Sequence, residues 1–246
     1  MFIVMIMNEE WAARIRDFFR FSREEMISLG VVILIGGFLF SLRFPGEIFT
    51  IQSWTYHFIL AALVAAISIV IKTASQKMQA LKHGYYAEFH IVWIAVIASL
   101  LIGIFSRGYL PVLFFGAIST SFMVRQRLGE FRYGDSFEDN ANLILNGITT
   151  CLTLATIFAL GSFLFPDSYF FTTGIIFNLV LAACTLVPIP KMDGLALLFG
   201  SKFLFTVGVG SVILYSLLLL SGTKIGLVLA IMIGVINKIV SLLWTA

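Results

Sequence analysis

Apolar residues in this chain come in long blocks, and short intervening stretches hold nearly all of the charge. Eight blocks stand out, at roughly 26–42, 51–71, 90–105, 109–124, 141–165, 168–187, 203–221 and 224–244. A helix needs about 20 residues to cross ~30 Å of hydrocarbon, so this pattern predicts membrane-spanning helices. The third and fourth blocks are short and separated only by Ser106, Arg107 and Gly108. They predict either two spans or one re-entrant hairpin over 90–124. The last two, joined at 221–224, predict a helical hairpin with Lys238 as a charge near its end.

Composition agrees with the pattern. Hydrophobic residues make up 60% of the 246 and charged residues 12%, about half the charge of a soluble domain. Mean hydropathy is +1.02. The expected class is an all-α polytopic membrane protein in a lipid bilayer, with 26–246 a single transmembrane domain of six to eight helices. The net charge of +3 is scattered and offers no basic tract to nucleic acid. Cys151 and Cys184 lie inside apolar blocks and read as small buried residues, not as a disulfide framework. Residues Met1 to Met7 lack a basic region and a cleavage site, so they do not read as a signal peptide. Over 1–25, Trp11, Ile15, Phe18, Phe19 and Phe21 alternate with arginines. That predicts an amphipathic segment on the membrane surface, or an aromatic and basic anchor for the first span.

Positive charge sets the expected direction. Arg14, Arg16, Arg20, Arg23, then Lys72, Lys77, Lys82, then Arg125, Arg127, Arg132, then Lys191 and Lys202 fall on one side. Arg43, Arg107 and Lys224 fall on the other. The bias places the N-terminus and the 72–89, 125–140 and 188–202 connections in the cytoplasm of a cell-membrane protein.

The chemistry concentrates where the sixth block ends, at Pro188-Ile189-Pro190-Lys191-Met192-Asp193-Gly194. Two prolines loosen the helix there, and a carboxylate beside a membrane span is costly unless it has a task. This segment resembles the proline-flanked LDG motif of the site-2 proteases, zinc metalloproteases that cut within the membrane. In that family the aspartate is the third zinc ligand. Two further stretches fit in family order over about 55–200. Asn142, near the start of the fifth block, resembles the Asn of the family's G-P-x-x-N, although Glu138 and Asp139 stand at its Gly-Pro. Residues Lys82-His83-Gly84-Tyr85-Tyr86-Ala87-Glu88-Phe89 resemble a YG-x-WAEF segment of archaeal-type members. The resemblance implies a site-2-protease-like helical core with a short membrane-associated β segment.

The family's H-E-x-x-H signature aligns with Lys72-Thr73-Ala74-Ser75-Gln76. Lys72 and Gln76 stand at the two His positions and Thr73 at the Glu. A protonated Lys repels Zn²⁺, an amide is a poor ligand and a Thr hydroxyl is no base near neutral pH. The resemblance therefore implies a degenerate member without catalytic residues and without zinc, a pseudoenzyme in which Asp193 is a remnant. Its task would be to bind a membrane-spanning client or a partner subunit, and Lys72 is expected to pair with Asp193 in place of a metal. One alternative keeps protease activity with re-sited ligands from His83, Glu88, His90 and Asp193; His57 lies too far along its helix to join them. Another is a small-solute transporter or channel, although no matching pair of interrupted helices is present. Asn178 predicts a hydrogen bond between helices, and the Gly226, Ala230, Gly234 face predicts close helix packing.

Overall fold

The structure, a computed structural model, describes residues 14–42, 50–122 and 135–244, with side chains from 139 to 236 in the last stretch. The apolar blocks fold as helices because no other arrangement lets a segment in hydrocarbon satisfy its own backbone. Helix α1 runs Arg23–Ser41 and α2 Ile51–Lys82. Strand β1 (Tyr85–Ile91), helix α3 (Trp93–Phe105) and strand β2 (Gly116–Phe122) follow. Then come α4 (Asp135–Leu164), α5 (Tyr169–Leu186), the short α6 (Asp193–Gly200), α7 (Lys202–Leu220) and α8 (Lys224–Trp244). Among the described residues, α1, α2, α4 (from Asp139), α5 and α7 are long and apolar enough to cross a membrane. The chain is a helical polytopic membrane protein carrying one small sheet.

Helix α4 is the central pillar. It packs against α2, α5, α6, α7 and α8 and supplies Ile144, Leu145, Ile148 and Leu152 to the deepest core. The small-residue face of α8 is used inside this bundle: Gly234 lies against the Tyr215 hydroxyl, Gly226 against the Leu218 carbonyl, and Ala230 is fully buried. Asn178 donates to Ser68 Oγ at 2.9 Å, joining α5 to α2.

Three expectations need correction. The fourth apolar block is not a helix: Pro111 follows α3 closely, and Gly116 to Phe122 form β2, paired antiparallel with β1 from Tyr85↔Phe122 to Ile91↔Gly116. Helix α3, at 13 residues, extends about 20 Å, too short to cross. The chain leaves the end of β1 and returns to its partner at that end, so 92–115 is a re-entrant excursion and not part of two spans. The connection expected at 72–89 begins only at His83, because α2 continues to Lys82. Two of the lysines assigned there, half-buried Lys72 and buried Lys77, are ion-pair partners within the bundle instead of loop charges.

Residues 1–13, much of the predicted surface segment, lie outside the described residues, as do the Arg43 connection and 123–134 with Arg125, Arg127 and Arg132. The side chain of Lys238 is likewise outside them. From residue 14 the chain lies across one end of the bundle: Arg14 reaches the Leu81 and Lys82 carbonyls, and the Phe18 ring meets Tyr86 edge-on.

Candidate functional site

Helical spacing puts Lys72 and Gln76 on one face of α2, directed at the end of α5 and the start of α6. Helix α5 stops at Leu186, where Pro188 and Pro190 cannot continue it. The turn that follows is closed by Met192 N–H donating to the Ile189 carbonyl at 3.1 Å. Gly194 makes the turn possible: a Cβ there would sit 2.4 Å from the Val187 carbonyl oxygen. So tight a bend carries Asp193 from the chain connection into the protein, where it is 3% exposed.

Two groups bond or pair with Asp193, and the Gln76 amide lies near enough to act on it as well. The Asp193 Oδ1 accepts from the Ile118 N–H at 3.0 Å, and its Oδ2 lies 3.7 Å from Lys72 Nζ. Lys72 also donates to Thr185 Oγ1 at 3.2 Å. Burial raises the Asp193 carboxyl above its ordinary range, opposed by the Lys72 charge, the Ile118 N–H and, more weakly, the Gln76 amide. Thr73 spends its hydroxyl proton on the Ile69 carbonyl of its own helix. Gln76 is buried against α4, admitted by Gly147, where a Cβ would stand 2.4 Å from its Nε2. That Nε2 makes no hydrogen bond of good geometry among the described residues and acts on Asp193 only from longer range. These side chains line a cavity of about 20 Å³, closed otherwise by Val32, Phe89, Leu113, Phe115 and Leu181. The room suffices for about one water molecule.

A zinc ion does not fit these residues. An ammonium stands beside the one carboxylate, the hydroxyl is already bonded, and the remaining donor is an amide. Among the described residues, no group of three or more His, Cys, Asp or Glu could hold a metal ion. The re-sited set fares no better. His90 and Glu88 face each other at 3.9 Å on the exposed side of β1, while His83 turns to Asp139 on α4, also at 3.9 Å. Asn142 is buried on α4, with its Oδ1 unpartnered among the described residues. His57 packs on the Tyr169 ring at the other end of the bundle.

Asp193 has a counterpart that sequence reasoning missed. Glu25, 2% exposed, accepts from the Phe89 N–H at 3.1 Å and from Lys77 Nζ. Phe89 and Ile118 face each other across the two-stranded sheet. Both N–H groups point outward, the geometry of a non-hydrogen-bonded pair. Each sheet edge is therefore capped at the same level by a buried carboxylate, Glu25 on β1 and Asp193 on β2. Each carboxylate is paired with a lysine of α2. A signal for Glu25 exists in the sequence: Ser22-x-x-Glu25 is a capping box, and the structure forms it at the start of α1.

A second polar cluster joins the ends of α2, β1 and α4. The Tyr85 hydroxyl donates to Asp139 Oδ2 at 2.7 Å, beside His83. Burial lowers the His83 imidazole below its ordinary value, with Asp139 opposing and Lys82 adding to the shift.

Against this geometry the comparisons with known proteins can be set. No family model matches the chain, and no solved structure matches it. The chain is similar to a Methanocaldococcus jannaschii protein described as a "putative zinc metalloprotease". The two are 27% identical over 193 residues, covering 77% of this chain and 91% of that one. The likeness extends across most of both chains and supports the site-2-protease resemblance drawn from Asp193 and its neighbours.

Proposed function

We propose that this membrane protein is a non-catalytic, archaeal-type relative of the site-2 proteases that holds a membrane-spanning client or partner subunit. The observation that carries the reading is the Lys72 ammonium 3.7 Å from Asp193. A fixed positive charge at that point neutralises the carboxylate and repels a divalent cation. The same pair, with Glu25 and Lys77, clamps the sheet to α2 by static contacts, which suits a scaffold. A hydrolase would need an open metal position and a base, and Lys72, Thr73 and Gln76 provide neither. In this reading Arg14 to Arg23, Lys82, Lys191 and Lys202 face the cytoplasm, since seven of the nine described residues behind the charge bias lie outside the Lys72–Asp193 and Lys77–Glu25 pairs.

The test is metal analysis of the purified protein together with a cleavage assay on a membrane-spanning peptide. The expected result is no stoichiometric zinc and no cleavage. The description of the archaeal relative favours the rival, a working metalloprotease. Chelator-sensitive cleavage that disappears with Asp193→Ala would establish that rival and discard the scaffold. Co-purification from native membranes, followed by mass spectrometry, identifies the client.

A further inference from the structure

The segment that leads into α1 is seated on the bundle by its backbone and its rings, and most of its arginine side chains are left outside. Arg14 is spent on the structure, its guanidinium reaching the Leu81 and Lys82 carbonyls at the end of α2. The Arg20 carbonyl accepts from Lys77 Nζ at 2.9 Å, and the same ammonium lies 4.5 Å from the centre of the Phe21 ring. Phe18 meets Tyr86 edge-on, and Ser22 closes the capping box that starts α1. The side chains of Arg16, Arg20 and Arg23 remain exposed. Among the described residues Arg20 and Arg23 make no ion pair. Arg16 meets its exposed neighbour Asp17 at 3.8 Å, a contact of little worth in water.

We propose that Arg16, Arg20 and Arg23, with Lys82 beside them, bind the phosphate groups of anionic glycerophospholipids at the bilayer surface. Position identifies the occupant. Helix α1 has 19 residues, about 28 Å of helix, which matches ~30 Å of hydrocarbon with nothing to spare. Met26 and Ile27, one turn inside Arg23, are 57% and 62% exposed, so hydrocarbon begins within a turn of that arginine. Helix α2 gives the same level independently. The Glu25–Lys77 pair joins the two helices there; Met78 is an exposed apolar residue, and Lys82, one turn further, is exposed and charged. The headgroup layer therefore lies at the level of Arg20, Arg23 and Lys82. Charge selects the kind of headgroup. Residues 14–24 carry four arginines against Asp17 and Glu24, so the surface is net positive, and a guanidinium offers a phosphate two parallel N–H donors. Each basic residue near an anionic bilayer surface adds about fivefold to affinity. Because Lys77 holds both the Arg20 carbonyl and Glu25, a lipid that fixes this segment also supports the clamp on β1. The proposal needs only that α1 spans a membrane, and it is independent of the scaffold reading.

The test uses the full chain in dodecylmaltoside micelles with phosphatidylglycerol or phosphatidylcholine of the same acyl chains, retained lipid being counted by native mass spectrometry. Phosphatidylglycerol should be retained in preference to phosphatidylcholine, and the preference should shrink as salt is raised. Phosphatidylglycerol should also raise the thermal unfolding midpoint more than phosphatidylcholine does. Arg16→Gln, Arg20→Gln and Arg23→Gln should each weaken retention about fivefold, and the triple variant about a hundredfold. All three side chains are exposed, so the triple variant should unfold in phosphatidylcholine as the wild type does. Lysine at the same three positions should keep the preference. Lys224→Gln, at the start of α8 and the other end of the bundle, should leave it intact. Equal retention of the two lipids by the wild type would overturn the proposal. So would a preference that survives the triple glutamine variant, or one that Lys224→Gln weakens as much.

Discussion

Removing the charge from either side of the Lys72–Asp193 contact should cost more than removing both. At 3.7 Å and an effective dielectric near 20, the gross attraction is about 4–5 kcal/mol. Desolvation offsets most of this, so the pair itself adds little to stability. Breaking it is different. Lys72→Met leaves a carboxylate that is 3% exposed with one N–H donor, and an uncompensated buried charge costs about 3–5 kcal/mol. Asp193→Leu leaves the Lys72 ammonium on Thr185 alone and also orphans the Ile118 N–H, for a similar total of about 3–5 kcal/mol. In the double variant both charges are gone and the orphaned N–H is the main cost, about 1–3 kcal/mol. The coupling energy should therefore be at least about 3 kcal/mol, at or above the upper end for residues in contact. Asp193→Asn, which keeps an oxygen for Ile118, should fall between wild type and Asp193→Leu. The measurement is unfolding by sodium dodecyl sulfate in mixed micelles, followed by tryptophan fluorescence. Losses additive to within about 0.5 kcal/mol would refute an energetic link between the two side chains.

Other outcomes follow from the same geometry. Because burial lowers His83, the folded state disfavours its protonated form. Stability should be level above pH ~7 and fall as the pH drops below about 6.5, where the unfolded chain takes up the proton more readily; His83→Gln should flatten that decline, and an unchanged pH profile would remove His83 as its cause. Gly194→Ala places a methyl 2.4 Å from the Val187 carbonyl and should cost at least about 1–3 kcal/mol. Gly210→Ala, with nothing within 4 Å, should be neutral or stabilise by about 0.5–1 kcal/mol; equal unfolding midpoints for the two variants would show that the turn is not tight. Reporter fusions after Lys82, Arg132 and Lys202 should be cytoplasmic and one after Glu47 external, and an external reporter at Lys82 or Lys202 reverses the whole arrangement.

The sequence by itself determined the solvent of this protein. Blocks of about twenty apolar residues can only be spanning helices, because hydrocarbon offers no partner to an unpaired backbone. Five helices therefore lie where hydropathy put them. The segment around Asp193 was legible as well, since paired prolines, an acid and a glycine after a span dictate a broken helix with a carboxylate at its end. Hydropathy failed where polarity was answered by tertiary contact. Lys72, Gln76 and Lys77 looked like a solvated connection, yet they extend α2 by three turns because Asp193, Gly147 and Glu25 receive them. It failed again at 109–122, where an apolar run became an irregular segment and, from Gly116, a strand because β1 supplied its hydrogen bonds. Periodicity cannot distinguish a short buried strand from a short helix. Tertiary structure alone decided that Glu25, 168 residues from Asp193 in the chain, caps the opposite edge of the same two-stranded sheet. Apolar patterning reports transfer free energy residue by residue. Which buried charge meets which donor depends on distances between segments that a linear pattern does not contain.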